Sequence, residues 1–310
     1  MEEDTAGDPI TGIKWTRKTL RKIAAALKRG GVKVSPSTVG KLMREMHYSL
    51  KVNFKRIESN PKTVTPESRK KRNRQFKYIS RTRKSFLGEN SAIISIDTKK
   101  RELIGNFKNN GAVWCREPYC VNAYDFKTLS EGVLIPYGIY DVTKNKGFVV
   151  GGISHNTGEF AVNAISKWLS YELKHREEEL QSILILADGG SSNGSSNKLW
   201  KVSLQEKICN RFEISVTVCH FPPGTSKYNP IEHRLFSEIS RNWAGEPLQS
   251  YETALKYIRP TKTSTGLTVK AWMDKTSYEK GLKISDDELG MVKIAKHDIL
   301  PEWNYTISPA

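Results

Sequence analysis

Ile93-Ile94-Ser95-Ile96-Asp97 and Ile183-Leu184-Ile185-Leu186-Ala187-Asp188 are the stretches whose reading decides the fold. Each is a short apolar run ended by an aspartate. Runs of this length read as buried strands rather than helices. A third segment, Phe221-Pro222-Pro223-Gly224-Thr225-Ser226-Lys227-Tyr228-Asn229-Pro230-Ile231, leads into Glu232 at the start of a helix. Two carboxylates at strand ends and a third opening a helix can converge on one point. Convergent carboxylates are hard oxygen ligands suited to Mg²⁺ or Mn²⁺. Two such ions side by side polarise a phosphate and activate water or a 3′-hydroxyl in line.

Working outward, the pattern predicts strands at 92–97, 133–141 and 146–154, the last two flanking the turn-like Lys144-Asn145-Lys146. A helix over 157–175 carries Ala161, Ala164, Ile165, Trp168 and Leu169 on one side. Strand 182–188, helix 197–210, strand 213–220 and helix 229–243 follow, and Ile231, Leu235, Ile239 and Trp243 form the buried stripe of the last helix. The order βββαβαβα is that of an α/β ribonuclease-H-like mixed sheet. In that fold the first and fourth strands are central neighbours, so Asp97 and Asp188 should lie side by side, with Glu232 brought across to them.

Charge divides the chain. Residues 10–85 hold 23 of the 50 Lys and Arg and three acids (Glu45, Glu58, Glu67), a net of +20, whereas the remainder is at −3. A segment this basic favours phosphate backbones. Within it, Leu20, Ile23, Ala24 and Leu27 recur at helical spacing, Gly30-Gly31 ends that helix, and Ser35-Pro36 caps and opens a second. Val39, Leu42, Met43 and Met46 form the apolar face of the second helix. Helix, glycine turn, helix is an all-α helix-turn-helix module. Its outward residues Ser37, Thr38, Lys41 and Arg44 are the candidate DNA contacts. Residues 51–64 read as a linker broken at Asn60-Pro61. A basic helix from Thr65-Pro66 to about Phe86 should turn Phe76 and Ile79 inward. The expected organisation is 1–52 helix-turn-helix, 53–90 basic linker and helix, 91–243 catalytic domain, and 244–310 an extension packed on the sheet edge through Trp303 and Tyr305.

Composition excludes other classes. Hydrophobic content of 37% and charged content of 27% suit a globular chain. No apolar run is long enough to span a bilayer, and the acidic Glu2, Glu3 and Asp4 do not make a signal peptide. Cys115, Cys120, Cys209 and Cys219 are too few for a disulfide framework, and the single C-x4-C pair lacks a partner pair for zinc.

Other polar residues near these segments have structural readings. Asp141 reads as a hairpin residue and Asp125 as a surface acid. The Gly189–Gly194 loop lacks the Gly-Lys-Ser/Thr ending of a phosphate-binding P-loop. It reads as a flexible loop beside Asp188. His220 and His233 read equally as phosphate contacts or structural hydrogen bonders. Thr157 caps the helix that follows His155 and Asn156.

The strings SIDTKKRELIGNFKNNG (95–111), IPYGIYDVTKNKGFV (135–149), LILADGGSSNG (184–194), VCHFPPGTSKYNPIEHRLFS (218–237) and EWNYTI (302–307) carry a family resemblance. The chain resembles the Rhodopirellula transposase DDE-domain family of bacterial insertion-sequence transposases from about Trp15 to Ile307. Its PPGTSKYNPIE segment is similar to the signature of mariner-like transposases. The resemblance implies a catalytic, metal-binding triad of Asp97, Asp188 and Glu232 with two Mg²⁺ (or Mn²⁺) ions. It implies DNA partners (transposon ends and target), with Lys227 among the DNA contacts, and a homo-oligomer assembled on DNA. It further implies a cytoplasmic, nucleoid-associated setting without membrane attachment, and relatives with a further helical portion ahead of the segment that begins here. The 44 residues from Asp188 to Glu232 exceed the usual mariner-like spacing. An inactive DNA-binding remnant acting as a repressor, and a ribonuclease-H-like nuclease, remain the alternatives at this stage.

Overall fold

The computed structural model describes residues 5–7, 14–16, 19–48, 65–88 and 90–310. The expected linker at 51–64 and the acidic residues 2–4 lie outside them. The chain divides into two compact units, 1–58 and 59–310.

In the first unit, strands β1 (Thr5–Gly7) and β2 (Lys14–Thr16) pair antiparallel. This short pairing is an addition to the all-α module expected, and three-residue strands carry no usable periodicity. Helix α1 (Leu20–Arg29) starts at Thr19, whose side chain accepts from the Lys22 N–H. Helix α2 (Pro36–Glu45) starts at Ser35, which accepts from the Thr38 N–H, with Pro36 at the first helical position. Between them Gly31 adopts a φ of +85°, which a side chain would resist. Ile23, Ala24 and Val39 are buried, with Leu27, Val34 and Met43 packed around them. Leu20, Leu42 and Met46, expected inward, are exposed. Among the described residues the α1–α2 pair buries one seam, built on Ile23, Ala24 and Val39.

In the second unit, helix α3 (Pro66–Ser85) precedes a nine-stranded mixed sheet. Its strands are β3 (Ser91–Thr98), β4 (Glu102–Ile104), β5 (Gly132–Asp141), β6 (Lys146–Gly152), β7 (Ser182–Ala187), β8 (Ser215–His220), β9 (Thr268–Asp274), β10 (Ile294–Lys296) and β11 (Asn304–Ile307). The strand order is β10-β11-β8-β7-β3-β5-β6-β9, with β4 on β5. Strand β5 runs antiparallel to both of its neighbours, β3 and β6, while β7 and β8 run parallel to β3. This is the ribonuclease-H-like arrangement. The intervening helices are α4 (Gly158–Lys174), α5 (Lys198–Leu204), α6 (Ser237–Asn242), α7 (Tyr251–Ile258) and α8 (Asp286–Gly290).

Alternation along the strands builds two faces. Ala92, Ile94 and Ile96 of β3 and Ile183, Ile185 and Ala187 of β7 join the large core shared with α4 and α5. Ile93, Leu184 and Leu186 point the other way, with Ile79 and Phe76 of α3. By the same alternation Ser95 and Asp97 belong to the α3 side.

Three elements differ from the sequence reading. The helix placed at 197–210 changes at Gln205 to a π-helical turn, Gln205–Asn210. The helix placed at 229–243 is helical over 230–242 but widens to a π-helical segment (Glu232–Phe236) ahead of α6, and a 3₁₀ turn (Ser226–Tyr228) precedes it. The widened π turn keeps Ile231, Leu235 and Phe236 all buried while Glu232 stays partly exposed. Residues 244–310 do more than cover one sheet edge: β11 pairs with β8 and β9 pairs in parallel with β6, extending both edges. Tyr305 is buried, and Trp303 lies under Lys71 Nζ, 4.7 Å from the ring centroid. Among the described residues no helix is long and apolar enough to cross a membrane.

Candidate active site

The parallel register of β3 and β7 pairs Ile96 with Ala187, so the next residues, Asp97 and Asp188, leave adjacent strand ends. Asp97 is only 8% exposed, and its Oδ1 accepts the Thr98 N–H at 2.6 Å. Asp188 Oδ1 accepts the Gly190 N–H at 2.9 Å, across a turn in which Gly189 has a φ of +78°. Glu232 arrives from the π-helical segment, near enough for its charge to act on Asp97. The structure therefore brings Asp97, Asp188 and Glu232 together.

Their electrostatics follow from that crowding. Burial first, then the charge of Asp188, pushes the Asp97 carboxyl up to about 8, with Glu232 adding to the rise and the Thr98 N–H opposing it. The Tyr137 phenol is raised by burial and by the charges of Asp97 and Asp188. The Asn193 side chain beside it opposes that rise, and both groups are buried. A divalent cation suits such a place, because it relieves carboxylate repulsion and takes oxygen ligands. Among the described residues no group of three His, Cys, Asp or Glu side chains forms a ready-made metal cage. That is compatible with hard ions such as Mg²⁺, which keep several waters and take one or two carboxylates.

The helix bearing Glu232 is seated by residues that sequence reasoning did not single out. Ser95 Oγ donates to Asn229 Oδ1 and accepts the Ile231 N–H at 3.1 Å. Asn229 Nδ2 donates to the Ile96 carbonyl at 3.1 Å. Gly138 faces Asp97 in the β3–β5 ladder. A Cβ there would come within 2.4 Å of the Phe236 ring and 2.8 Å of Ile231 Cδ1. The signals were present: Ser95 is the polar residue of an apolar strand, and Gly138 interrupts another.

The rivals take structural roles. Asp141 Oδ1 accepts from the Thr143 N–H, the Thr143 hydroxyl and the Lys144 N–H, closing the β5–β6 hairpin. Asp125 is exposed. His233 Nε2 donates to the Lys227 carbonyl at 2.6 Å, and buried His220 lies 3.3 Å from the Tyr305 hydroxyl. Thr157 caps α4 by accepting from the Phe160 N–H. In the first unit Ser37, Thr38, Lys41 and Arg44 are all exposed on α2. The Ser37 and Thr38 hydroxyls contact Ser35 Oγ at 2.7 and 2.8 Å, and Arg44 Nε donates to the Gly40 carbonyl. Lys227 is exposed, its Nζ 5.1 Å from the Tyr228 ring centroid.

The profile of the family described as "Rhodopirellula transposase DDE domain" matches residues 1–309. Among solved structures the chain is similar to the Mos1 transposase paired-end complex with left transposon end, at 18% identity and a TM-score of 0.44, covering 77% of this chain. It is similar to the Mos1 mariner paired end complex with Mn at 18% identity, 77% coverage and a TM-score of 0.45. Similarity to the Mos1 strand transfer complex is at 16% identity, 78% coverage and a TM-score of 0.45. In each comparison the chain spans 65% of the Mos1 chain, just under two thirds of its length. No curated protein matches.

Proposed function

This chain belongs to the Rhodopirellula transposase DDE-domain family, and we propose that it is a DNA strand-cleaving and strand-transferring enzyme of an insertion sequence. The observation that carries the reading is the buried Asp97 carboxyl, set beside Asp188 at neighbouring parallel strand ends and acted on by the charge of Glu232. Water attacks the phosphodiester at the element's end and the 3′-oxygen leaves as a 3′-hydroxyl; that hydroxyl then attacks a phosphodiester of target DNA, joining to its 5′-phosphate as the target's own 3′-oxygen leaves.

Asp97, Asp188 and Glu232 would together hold two Mg²⁺ or Mn²⁺ ions. When bound, such ions supply Lewis acidity to the phosphate and to the attacking oxygen. The chain's own contribution is positioning. Thr98 and Gly190 N–H groups fix one oxygen of each aspartate, and the Ser95–Asn229 link fixes the approach of Glu232. The helix-turn-helix module, through Ser37, Thr38, Lys41 and Arg44, binds duplex DNA, and Lys227 contacts the strand near the site. The active form is a homo-oligomer on DNA, and its setting is the bacterial cytoplasm at the nucleoid.

Nicking of plasmid DNA with Mn²⁺ tests the reading. Asp97→Asn, Asp188→Asn and Glu232→Gln should each abolish cleavage while folding and DNA binding persist, and Asp141→Asn should retain it. Wild-type cleavage by Glu232→Gln would remove that residue from the triad. Binding with no cleavage by the wild-type chain would favour a repressor, and cleavage confined to RNA–DNA hybrids a ribonuclease.

A further inference from the structure

Beside Glu232 lies a second feature of defined chemistry. Arg69, Arg72, Asn73 and Phe76 of α3, with Tyr228 of the adjoining turn, line a cleft of about 320 Å³. That is near the small end of ligand sites, roughly 300–1,000 Å³. Its floor is aromatic: the Phe76 and Tyr228 rings meet edge to face with centroids 5.0 Å apart. Tyr228 is 49% exposed, so about half of its surface remains accessible to a partner. Cations surround it. The Arg72 guanidinium stands 5.9 Å from the Phe76 centroid, and Lys227 Nζ 5.1 Å from that of Tyr228. Helix α3 carries nine Lys and Arg against the single acid Glu67.

Both walls are tied to the sheet. On α3, buried Gln75 donates from Nε2 to the His220 carbonyl and to Asn304 Oδ1, each at 2.8 Å, and accepts from Asn304 Nδ2 at 2.8 Å. On the turn, Asn229 follows Tyr228 and bonds to Ser95 and Ile96 of β3, the residues just before Asp97. A half-exposed aromatic ring flanked by cations suits a ligand that is both planar and anionic. Base stacking on such a ring is sequence-tolerant, because every base has a π-face. Guanidinium groups supply the matching phosphate contacts.

We propose that this cleft holds one unpaired nucleotide of the DNA strand beside the phosphate being cut, its base stacked on Tyr228 and its flanking phosphates held by Arg69, Arg72 and Lys227. The inference rests on the DNA-cleaving reading above. It adds a subsite that senses an opened strand: the cleft rewards a base out of its duplex, and Tyr228 is four residues from Glu232.

The test uses the full chain and two fluorescein-labelled strands, a twelve-residue oligothymidylate and an abasic strand with the same phosphates, read by anisotropy. The wild-type chain should prefer the base-bearing strand by about tenfold or more. Tyr228→Ala should abolish the preference and Tyr228→Phe retain it, with unchanged melting temperatures. Arg69→Gln should keep the preference but reduce the salt dependence of log K by about 0.7. Equal binding of the two strands by the wild-type chain, or a preference that survives Tyr228→Ala, overturns the proposal. So does displacement by thymidine monophosphate at matched nucleotide concentration, which would make this a free-nucleotide site. Mn²⁺-dependent nicking is measured on the same preparations. A preference that follows Tyr228 without any nicking would sustain the cleft and defeat the cleavage reading, whereas nicking without the preference would do the reverse.

Discussion

Ser95 donates its hydroxyl hydrogen to Asn229 Oδ1, fastening the strand that ends in Asp97 to the turn that leads to Glu232. Neither residue is an acid, yet their bond sets the distance between two of the three carboxylates. Asn229 is fully buried, and its other side-chain group donates to the Ile96 carbonyl.

Asn229→Ala should therefore cost about 1–3 kcal/mol of stability, because it leaves buried partners unpaired. Mn²⁺-dependent nicking should fall more than tenfold. Urea unfolding and nicking rates check the two effects separately. Unchanged nicking by a folded Asn229→Ala chain would show that Glu232 finds its place without this link.

Gly138 sets a steric condition at the same place. A methyl group there would meet the Phe236 ring at 2.4 Å, too close for any real contact. Gly138→Ala should destabilise by about 1–3 kcal/mol, as overpacked cores do. Gly138→Val should push the Glu232 helix off the sheet and abolish cleavage. A crystal structure of Gly138→Ala with Phe236 unmoved would contradict the argument.

Cation binding should be visible as stability. The charges of Asp188 and Glu232 act against ionisation of Asp97, and a bound divalent ion relieves that repulsion. Mn²⁺ at about a hundred times its dissociation constant should stabilise the chain by about 2.7 kcal/mol. For a unit of this size that is roughly 5–10 °C in melting temperature. The Asp97→Asn/Asp188→Asn chain should show little of this shift in differential scanning fluorimetry, and an equal shift in both would place the ion elsewhere.

Acid should destabilise the second unit through His220. Burial, then the Lys201 charge, lowers the folded pKa of this imidazole to about 3, against about 6.5 when unfolded. Above pH 6.5 both states are neutral and the residue contributes no pH dependence. As pH falls below 6.5 the unfolded state takes up a proton that the folded state refuses, so stability declines until about pH 3. The loss at pH 5 is about 2 kcal/mol. Comparing urea midpoints at pH 7.5 and 5.0, His220→Gln should lose less stability than wild type. Parallel behaviour would mean that His220 protonates readily in place.

Much of the framework was legible locally. Five central strands announce themselves as apolar runs bounded by turn residues, because a strand buried on both faces has no polar side. Asp97 and Asp188 stand out as the first polar residues past such runs. Ser35 and Thr157 cap helices as their side chains require, since a cap is satisfied within three residues. The basic stretch was legible from charge alone.

What only the tertiary structure decided is whatever depends on residues far apart in the chain. Strand β9 is defined by its parallel pairing with β6, more than 100 residues earlier, and its own run Thr268–Asp274 mixes exposed and buried residues instead of forming a continuous apolar run. Strand β11 likewise exists because β8 leaves an open edge of unpaired backbone groups. The role of Gly138 appears only once Phe236 lies across it, and Asn229 becomes a clamp only when Ser95 faces it. Hydrophobic periodicity reports which side of an element is buried. It is silent on which partner fills that side, because burial is non-directional whereas register, close approach and hydrogen bonding depend on the particular neighbour.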